Sequence, residues 1–209
     1  MKSALNIRSD EFLKKYTTIQ TLKDTAVPLV KLLMRENSKG ACIFLDGSKG
    51  CSIYENRPQV CRSYPLGLGT LDPRHEKLQT EGQSPEARFM IQEDMCKGHL
   101  EPKTWTLNKW MEDQGASNME ELNKIWMEIV AKLKSMKINE EQNHEINLFI
   151  MASYDLNTFS NFVFGSTFLE RFDVDQETVE KIKSNETELL KFGMEWLHYA
   201  LFGEGNIRP

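Results

Sequence analysis

The sequence predicts a mainly α protein: a helical bundle-like array with a small β-hairpin/loop cysteine module. Three observations predict it. From Thr104 onward, apolar residues recur at three- and four-residue spacing, the period of an amphipathic helix. Two short β-prone runs flank a turn-rich linker between residues 40 and 54. Three of the four cysteines, Cys42, Cys51 and Cys61, fall in and just after that stretch, with Cys96 following 35 positions after Cys61. The expected organisation is a cysteine-cluster module over residues 1–103 and a helical region over residues 104–209 packed on it.

Residues 6–36 read as helical. Ser9-Asp-Glu places negative charge at a helix start, and Phe12, Leu13, Tyr16 and Ile19 recur at helical spacing. Gly40-Ala-Cys-Ile-Phe-Leu45 and Cys51-Ser-Ile-Tyr54 read as the strands of a hairpin around Asp46-Gly-Ser-Lys-Gly50, with Cys42 and Cys51 flanking the turn. Asn56 is placed to cap a short helix with Pro58 in its first turn, which swings Cys61 back toward the hairpin. Residues 66–103 carry Gly, Pro and few apolar residues in sequence and read as a long loop, of the kind that is usually functional or mobile. Cys96 stands near its end, where a metal ligand would pin it.

Beyond Thr104 the elements are helices. Ser117-Asn-Met-Glu120 has the form of a capping box, and Leu122, Ile125, Trp126, Ile129, Leu133 and Met136 make one stripe after it. Further helices are expected from about residue 141 to 154, from 158 to 168, and from Asp173-Val-Asp-Gln-Glu. The last follows Asn185-Glu-Thr-Glu188, uses Leu189, Phe192, Trp196, Leu197, Ala200 and Leu201 as its apolar face, and ends at Gly203. Aromatic and Met positions on these helices read as core.

Composition excludes several classes. The 209 residues are 40% hydrophobic and 27% charged, which is globular usage. A net charge of -5 lacks the basic footprint that nucleic acid demands, so no nucleic-acid partner is expected. The longest apolar runs fall far short of the roughly 20 residues that cross a bilayer, and Met1-Lys-Ser-Ala-Leu-Asn has no apolar signal core. No membrane association and a cytoplasmic location are expected, with a protein partner left open. The usual nucleotide loops G-x4-G-K-[ST] and G-x-G-x2-G are absent, as are G-x-S-x-G and H-E-x2-H.

Four thiolates are the ligand count of a tetrahedral zinc and of an iron–sulfur cluster. The C-x8-C-x9-C spacing offers no tight C-x2-C pair, so spacing alone leaves metal binding and small buried thiols both open. Disulfides are disfavoured in a reducing compartment. Arg57 and Arg62 flank the cysteines, where guanidinium groups would offset thiolate charge; Arg57 is equally placed to pair with Glu55. Tyr54 and Tyr64 read as packing residues. His99 follows Cys96 at C-x2-H spacing and reads as a loop histidine in preference to a ligand; His75, His144 and His198 are scattered.

The stretch Cys42-Ile-Phe-Leu45, then Cys51-Ser-Ile-Tyr-Glu-Asn-Arg-Pro-Gln-Val-Cys-Arg-Ser-Tyr-Pro65, closely resembles the signature of the YkgJ-like cysteine-cluster family, C-x-F-L followed by C-x-I-Y-x-x-R-P-x-x-C-R-x-[YF]-P. Cys96-Lys-Gly-His99, Trp105-Thr-Leu-Asn-Lys-Trp-Met111, Met151-Ala-Ser-Tyr-Asp-Leu-Asn157 and Phe162-Val-Phe-Gly-Ser-Thr-Phe168 resemble its downstream segments. The resemblance implies a chelator of zinc or of an iron–sulfur cluster, with Cys42, Cys51, Cys61 and Cys96 as metal ligands and Arg57, Arg62 and Tyr54 around them. The loop lengths lean slightly toward a cluster. Members of that family carry a further cluster, about C-x2-C-x2-C-C, ahead of a helix like residues 5–16. It is missing here, and Met1 is expected to be an internal methionine of a longer protein rather than the start of a shortened variant. Kinship with flagellin lysine N-methylases makes a protein lysine methyltransferase the alternative. A structural helical scaffold with incidental thiols is a further alternative. No catalytic residue is assigned.

Overall fold

The first turn of chain, α1 (Lys2–Leu5), leads into α2 (Ser9–Tyr16), and there the helix stops. Thr17-Thr-Ile-Gln-Thr21 is rich in β-branched side chains, which lose χ1 freedom in a helix and suit a pleated surface. It forms β1 (Thr17–Thr21), antiparallel to β2 (Pro28–Leu32), with Ile19 opposite Val30. The expected helix over residues 6–36 is therefore short, and Ile19 lies 56% exposed on a strand. Next come β3 (Met34–Arg35) with β4 (Ala41–Cys42), and β5 (Leu45–Asp46) with β6 (Gly50–Cys51), both antiparallel. The hairpin around Gly47–Lys49 exists as expected, but Cys42 belongs to the other pair, opposite Met34.

The chain continues through α3 (Gln59–Ser63), β7 (Leu66–Thr70), β8 (Glu86–Met90) and α4 (Leu107–Asp113). Then follow α5 (Glu120–Ser135), α6 (Asn143–Ser153), α7 (Leu156–Gly165), α8 (Phe168–Arg171), α9 (Gln176–Ser184) and α10 (Glu186–Phe202). This computed structural model describes residues 1–21, 27–36, 40–70, 86–94, 96–136 and 143–209. Over them the protein is mainly α, with four small antiparallel two-stranded sheets. None of their helices is long and apolar enough to cross a membrane. His75 and the expected helix start at 141 lie outside the described residues.

The chain divides into two compact units, residues 1–54 with 121–209, and residues 55–120. The first holds the large core. Ile129, Val130 and Leu133 of α5 meet Phe149 and Ala152 of α6, Phe159 and Val163 of α7, and Leu189 through Leu201 of α10. The stripe on α5 buries its middle, while Met136 at its end is 44% exposed. Helix ends follow side-chain chemistry. Asp155 accepts from the Thr158 N–H, Asp175 from the Thr178 N–H, and Asn185 from the Thr187 and Glu188 N–H groups. Gly203 closes α10 at φ +70°. The expected capping box at Ser117 is not made. Residues Ser117–Met119 form a 3-10 turn running straight into α5, and Glu120 pairs with Arg88 instead.

The N-terminal segment is bound into this core by one polar joint. Ser9 is 4% exposed, and its N–H donates to Asn157 Oδ1 at 2.8 Å. The Asn157 N–H donates to Ser9 Oγ at 2.8 Å, and Ser9 Oγ lies 2.5 Å from Asp155 Oδ1. Lys2 Nζ adds a bond to Asn157 Oδ1 and pairs with Glu186. Beside the joint, burial pushes the Tyr154 phenol up to about 12, against hydrogen bonds from the Val30 backbone and from Trp126 that act the other way. A second cluster, Phe12, Phe44 and Ile53, packs at α2, with Phe12 and Phe44 stacked 6.3 Å apart.

Two outcomes follow from these contacts. Ser9→Ala strands the Asn157 N–H and should lower unfolding free energy by about 1–3 kcal/mol in urea denaturation; a loss below about 0.5 kcal/mol would show that the joint is not structural. A Cβ at Gly193 would stand 2.9 Å from Phe159 and 3.0 Å from the Ala152 carbonyl. Gly193→Ala gains about 1 kcal/mol of helix propensity but overpacks by about 1–3 kcal/mol. Its melting temperature should fall, whereas a rise would mean that α7 yields freely.

Candidate metal centre

The four candidate ligands occupy two settings. In the first unit, Cys42 on β4 and Cys51 on β6 are half-buried and pack against the cluster of Phe12, Phe44 and Ile53. Their strands are short because the chain turns at each end. Gly40 and Gly50 both adopt positive φ, +76° and +81°, that side-chain-bearing residues rarely reach. Phe44 is inward-facing, and its carbonyl accepts from the Ser52 N–H at 2.8 Å and from Ser52 Oγ. Tyr54 opens the next 3-10 turn, half exposed.

In the second unit, Cys61 sits on α3, exposed, and Cys96 sits half-buried at the start of the 3-10 turn Lys97–Leu100. The short helix forms as expected, but Pro58 itself occupies its cap with no side-chain cap bond, and Asn56, expected there, ends the preceding 3-10 turn Tyr54–Asn56. The segment that precedes Cys96 corrects the sequence reading. Residues 66–70 and 86–90 form an antiparallel ribbon, Leu66 opposite Met90 and Thr70 opposite Glu86, where a loop was expected. Leu66-Gly-Leu-Gly looks like loop chemistry locally, but its ladder partner lies about twenty positions away and carries the alternation. The Ile91 N–H extends the contact to the Pro65 carbonyl at 2.7 Å.

Arg62 holds this unit together. Its Nε donates to the Arg57 carbonyl at 3.0 Å, its Nη1 to the Gln114 carbonyl at 3.0 Å, and its Nη2 to the Glu55 carbonyl. Gly115, at φ +60°, turns the end of α4 so that the Gln114 carbonyl faces the fork. Arg57 reaches Gln114 Oε1 at 3.3 Å, and Trp110 Nε1 donates to the Ser63 carbonyl at 3.2 Å. The guanidinium expected beside sulfur thus ties α3 to α4 through backbone carbonyls.

Tyr64, which the sequence marked only as packing, reaches a thiol. Its phenol donates to Glu93 Oε2 at 3.1 Å and hydrogen bonds the Cys96 side chain. The Cys96 bond, then burial and Glu93, hold the Tyr64 phenol well above its ordinary range. Its place in C-R-x-Y-P, three residues past Cys61, is the signal that marks it.

None of the four cysteines is disulfide-bonded. As soft donors they fit zinc or an iron–sulfur cluster. Among the described residues, no group of three or more His, Cys, Asp and Glu side chains stands together as a metal-ion set. The donor chemistry fits either group.

A family model named CxxCxxCC, described as "Putative zinc- or iron-chelating domain", matches residues 2–97, just under half of the chain. The matched segment spans all four cysteines, none of which forms the C-x2-C-x2-C-C run that the name spells. No curated protein and no solved structure matches the chain.

The role of Arg62 is open to a direct check. Arg62→Leu and Arg62→Lys should both speed amide exchange in α3 and α4, by about 2–3 kcal/mol of lost protection, while α7 and α10 stay unchanged. Restored protection in the lysine variant would mean that charge, and not the fork on three carbonyls, is what matters.

Proposed function

We propose that residues 2–97 chelate zinc or an iron–sulfur cluster, with Cys42, Cys51, Cys61 and Cys96 as the donors that this chain offers. The observation that carries the reading is the match to a zinc- or iron-chelating domain over a segment that spans all four cysteines. Their chemistry supports it, since four unbridged thiols are a complete tetrahedral set in number. In small modules of this kind binding is coupled to folding, so that the metal assembles ligands the apo chain does not hold together. A bound zinc would stabilise the module, and a bound cluster would supply electron transfer.

Within that reading the residues have distinct work. The Tyr64 side chain hydrogen bonds the Cys96 side chain and would fix its position beside a bound metal. Arg62 fixes the backbone that leads into Cys61 by its bonds to the Arg57 and Glu55 carbonyls. Phe12, Phe44 and Ile53 give Cys42 and Cys51 an apolar floor that keeps water from their inner side.

Anaerobic purification with elemental analysis and a visible spectrum tests the proposal. Roughly one zinc per chain without colour, or iron with acid-labile sulfide and a broad brown absorption, is the expected result. Each single Cys→Ser variant should lose most of that metal. Background metal in the parent chain, or full loading in Cys51→Ser, would overturn the assignment.

A further inference from the structure

Glu93 meets Cys96 twice, once through the backbone and once through another side chain. The Cys96 N–H donates to the Glu93 carbonyl at 2.9 Å. The Tyr64 phenol donates to Glu93 Oε2 at 3.1 Å and also hydrogen bonds the Cys96 side chain. Tyr64 is itself held beside this segment, because the Ile91 N–H donates to the carbonyl of the next residue, Pro65, at 2.7 Å. Glu93, Tyr64 and Cys96 therefore close one ring of hydrogen bonds.

A phenol carries a single proton, and a carboxylate only accepts. A bond to a charged acceptor is the stronger kind, so Glu93 decides which way the hydroxyl points. With that proton on Glu93, the phenol meets the thiol through its oxygen, as acceptor of the Cys96 S–H. Without the carboxylate the hydroxyl is free to turn, and the contact with sulfur loses its fixed direction. Tyr64 and Cys96 also line one cavity of about 530 Å³, together with His99, Trp105 and Trp110, so a small reagent has a way to the thiol.

We propose that Glu93 is a positioning residue for Cys96: by taking the Tyr64 proton it leaves the phenol oxygen to hold the thiol in one orientation in the metal-free chain. That this thiol is a metal donor rests on the chelating reading above; the ring of bonds exists without it.

Iodoacetamide labelling of the full metal-free chain, read peptide by peptide by mass spectrometry, tests it. An S–H held by Tyr64 reacts slowly. Tyr64→Phe and Glu93→Ala should each label Cys96 about fivefold faster, the worth of one hydrogen bond, with Cys42 unchanged. Glu93 is exposed, so its variants leave the core untouched. Glu93→Gln, whose amide oxygen still accepts from the phenol, should label at the parent's rate. Because Glu93 acts through Tyr64, adding Glu93→Ala to Tyr64→Phe should speed labelling no further. Equal rates in the parent and Glu93→Ala, a glutamine variant as fast as the alanine one, or an alanine effect undiminished in the Tyr64→Phe chain would overturn the proposal. Should Tyr64→Phe not fold, the contrast between Glu93→Ala and Glu93→Gln decides the matter. Metal content of the chain as purified separates its failure from failure of the chelating reading, since labelling reads the ring with or without a metal-binding parent.

Discussion

A serine with almost no solvent exposure ties the N-terminal segment to the start of α7. Ser9 begins α2, and Asn157 lies one residue into α7 after its cap, Asp155; the two residues exchange N–H bonds to each other's side chains. Such a bond is worth only about 1 kcal/mol when made, but a buried donor left unpaired costs more. The geometry therefore permits few alternatives: α2 must lie where both exchanges close. Everything in residues 1–54 hangs from that position, because β1 follows α2 without a break and β2 is registered on β1. The strands that carry Cys42 and Cys51 are thus placed, through Phe12 and Phe44, by contacts made to helices more than a hundred residues later.

The thiols stand in contrasting surroundings. Cys42 and Cys51 rest on an aromatic and aliphatic floor. Cys96 has a phenol donor at its side, in company with Glu93, and Cys61 is exposed on a one-turn helix pinned by Arg62. Metal ligation demands thiolates, so it releases protons and strengthens as pH rises. Tyr64, which hydrogen bonds the Cys96 side chain, occupies the same unit as the cavity with Trp105 and Trp110.

Much of the helical half could be read directly. The stripe from Leu122 to Leu133, the Asn185 cap and the Gly203 stop each depend on residues within one or two turns of one another, so local chemistry suffices. The same holds for the turn at Gly47–Lys49 and the start of α3 beside Pro58. Strand pairing was harder. Thr17–Thr21 continued the apolar spacing of α2, and only the pairing with Pro28–Leu32 makes it a strand. Leu66-Gly-Leu-Gly likewise lacks any local mark of the ladder that Glu86–Met90 completes. Hydrogen bonds between strands distant in sequence leave no short-range signature. The candidate site shows the same divide. Cys42, Cys51, Cys61 and Cys96 are conspicuous as residues, but only the fold shows that Arg62 bonds backbone carbonyls and that Tyr64 bonds Cys96.

By itself, then, the sequence determined the mainly helical class, the caps and stops of the C-terminal helices, and the identity of the four thiols, because periodicity, capping and side-chain chemistry act over a few residues. Tertiary structure alone decided which segments pair as strands, that Ser9 meets Asp155 and Asn157, where the guanidinium of Arg62 spends its hydrogen bonds, and that Trp105, Trp110 and His99 line one cavity. Each of these joins groups far apart in the chain, and burial makes an unmatched polar group or an unfilled apolar face too costly to leave to chance.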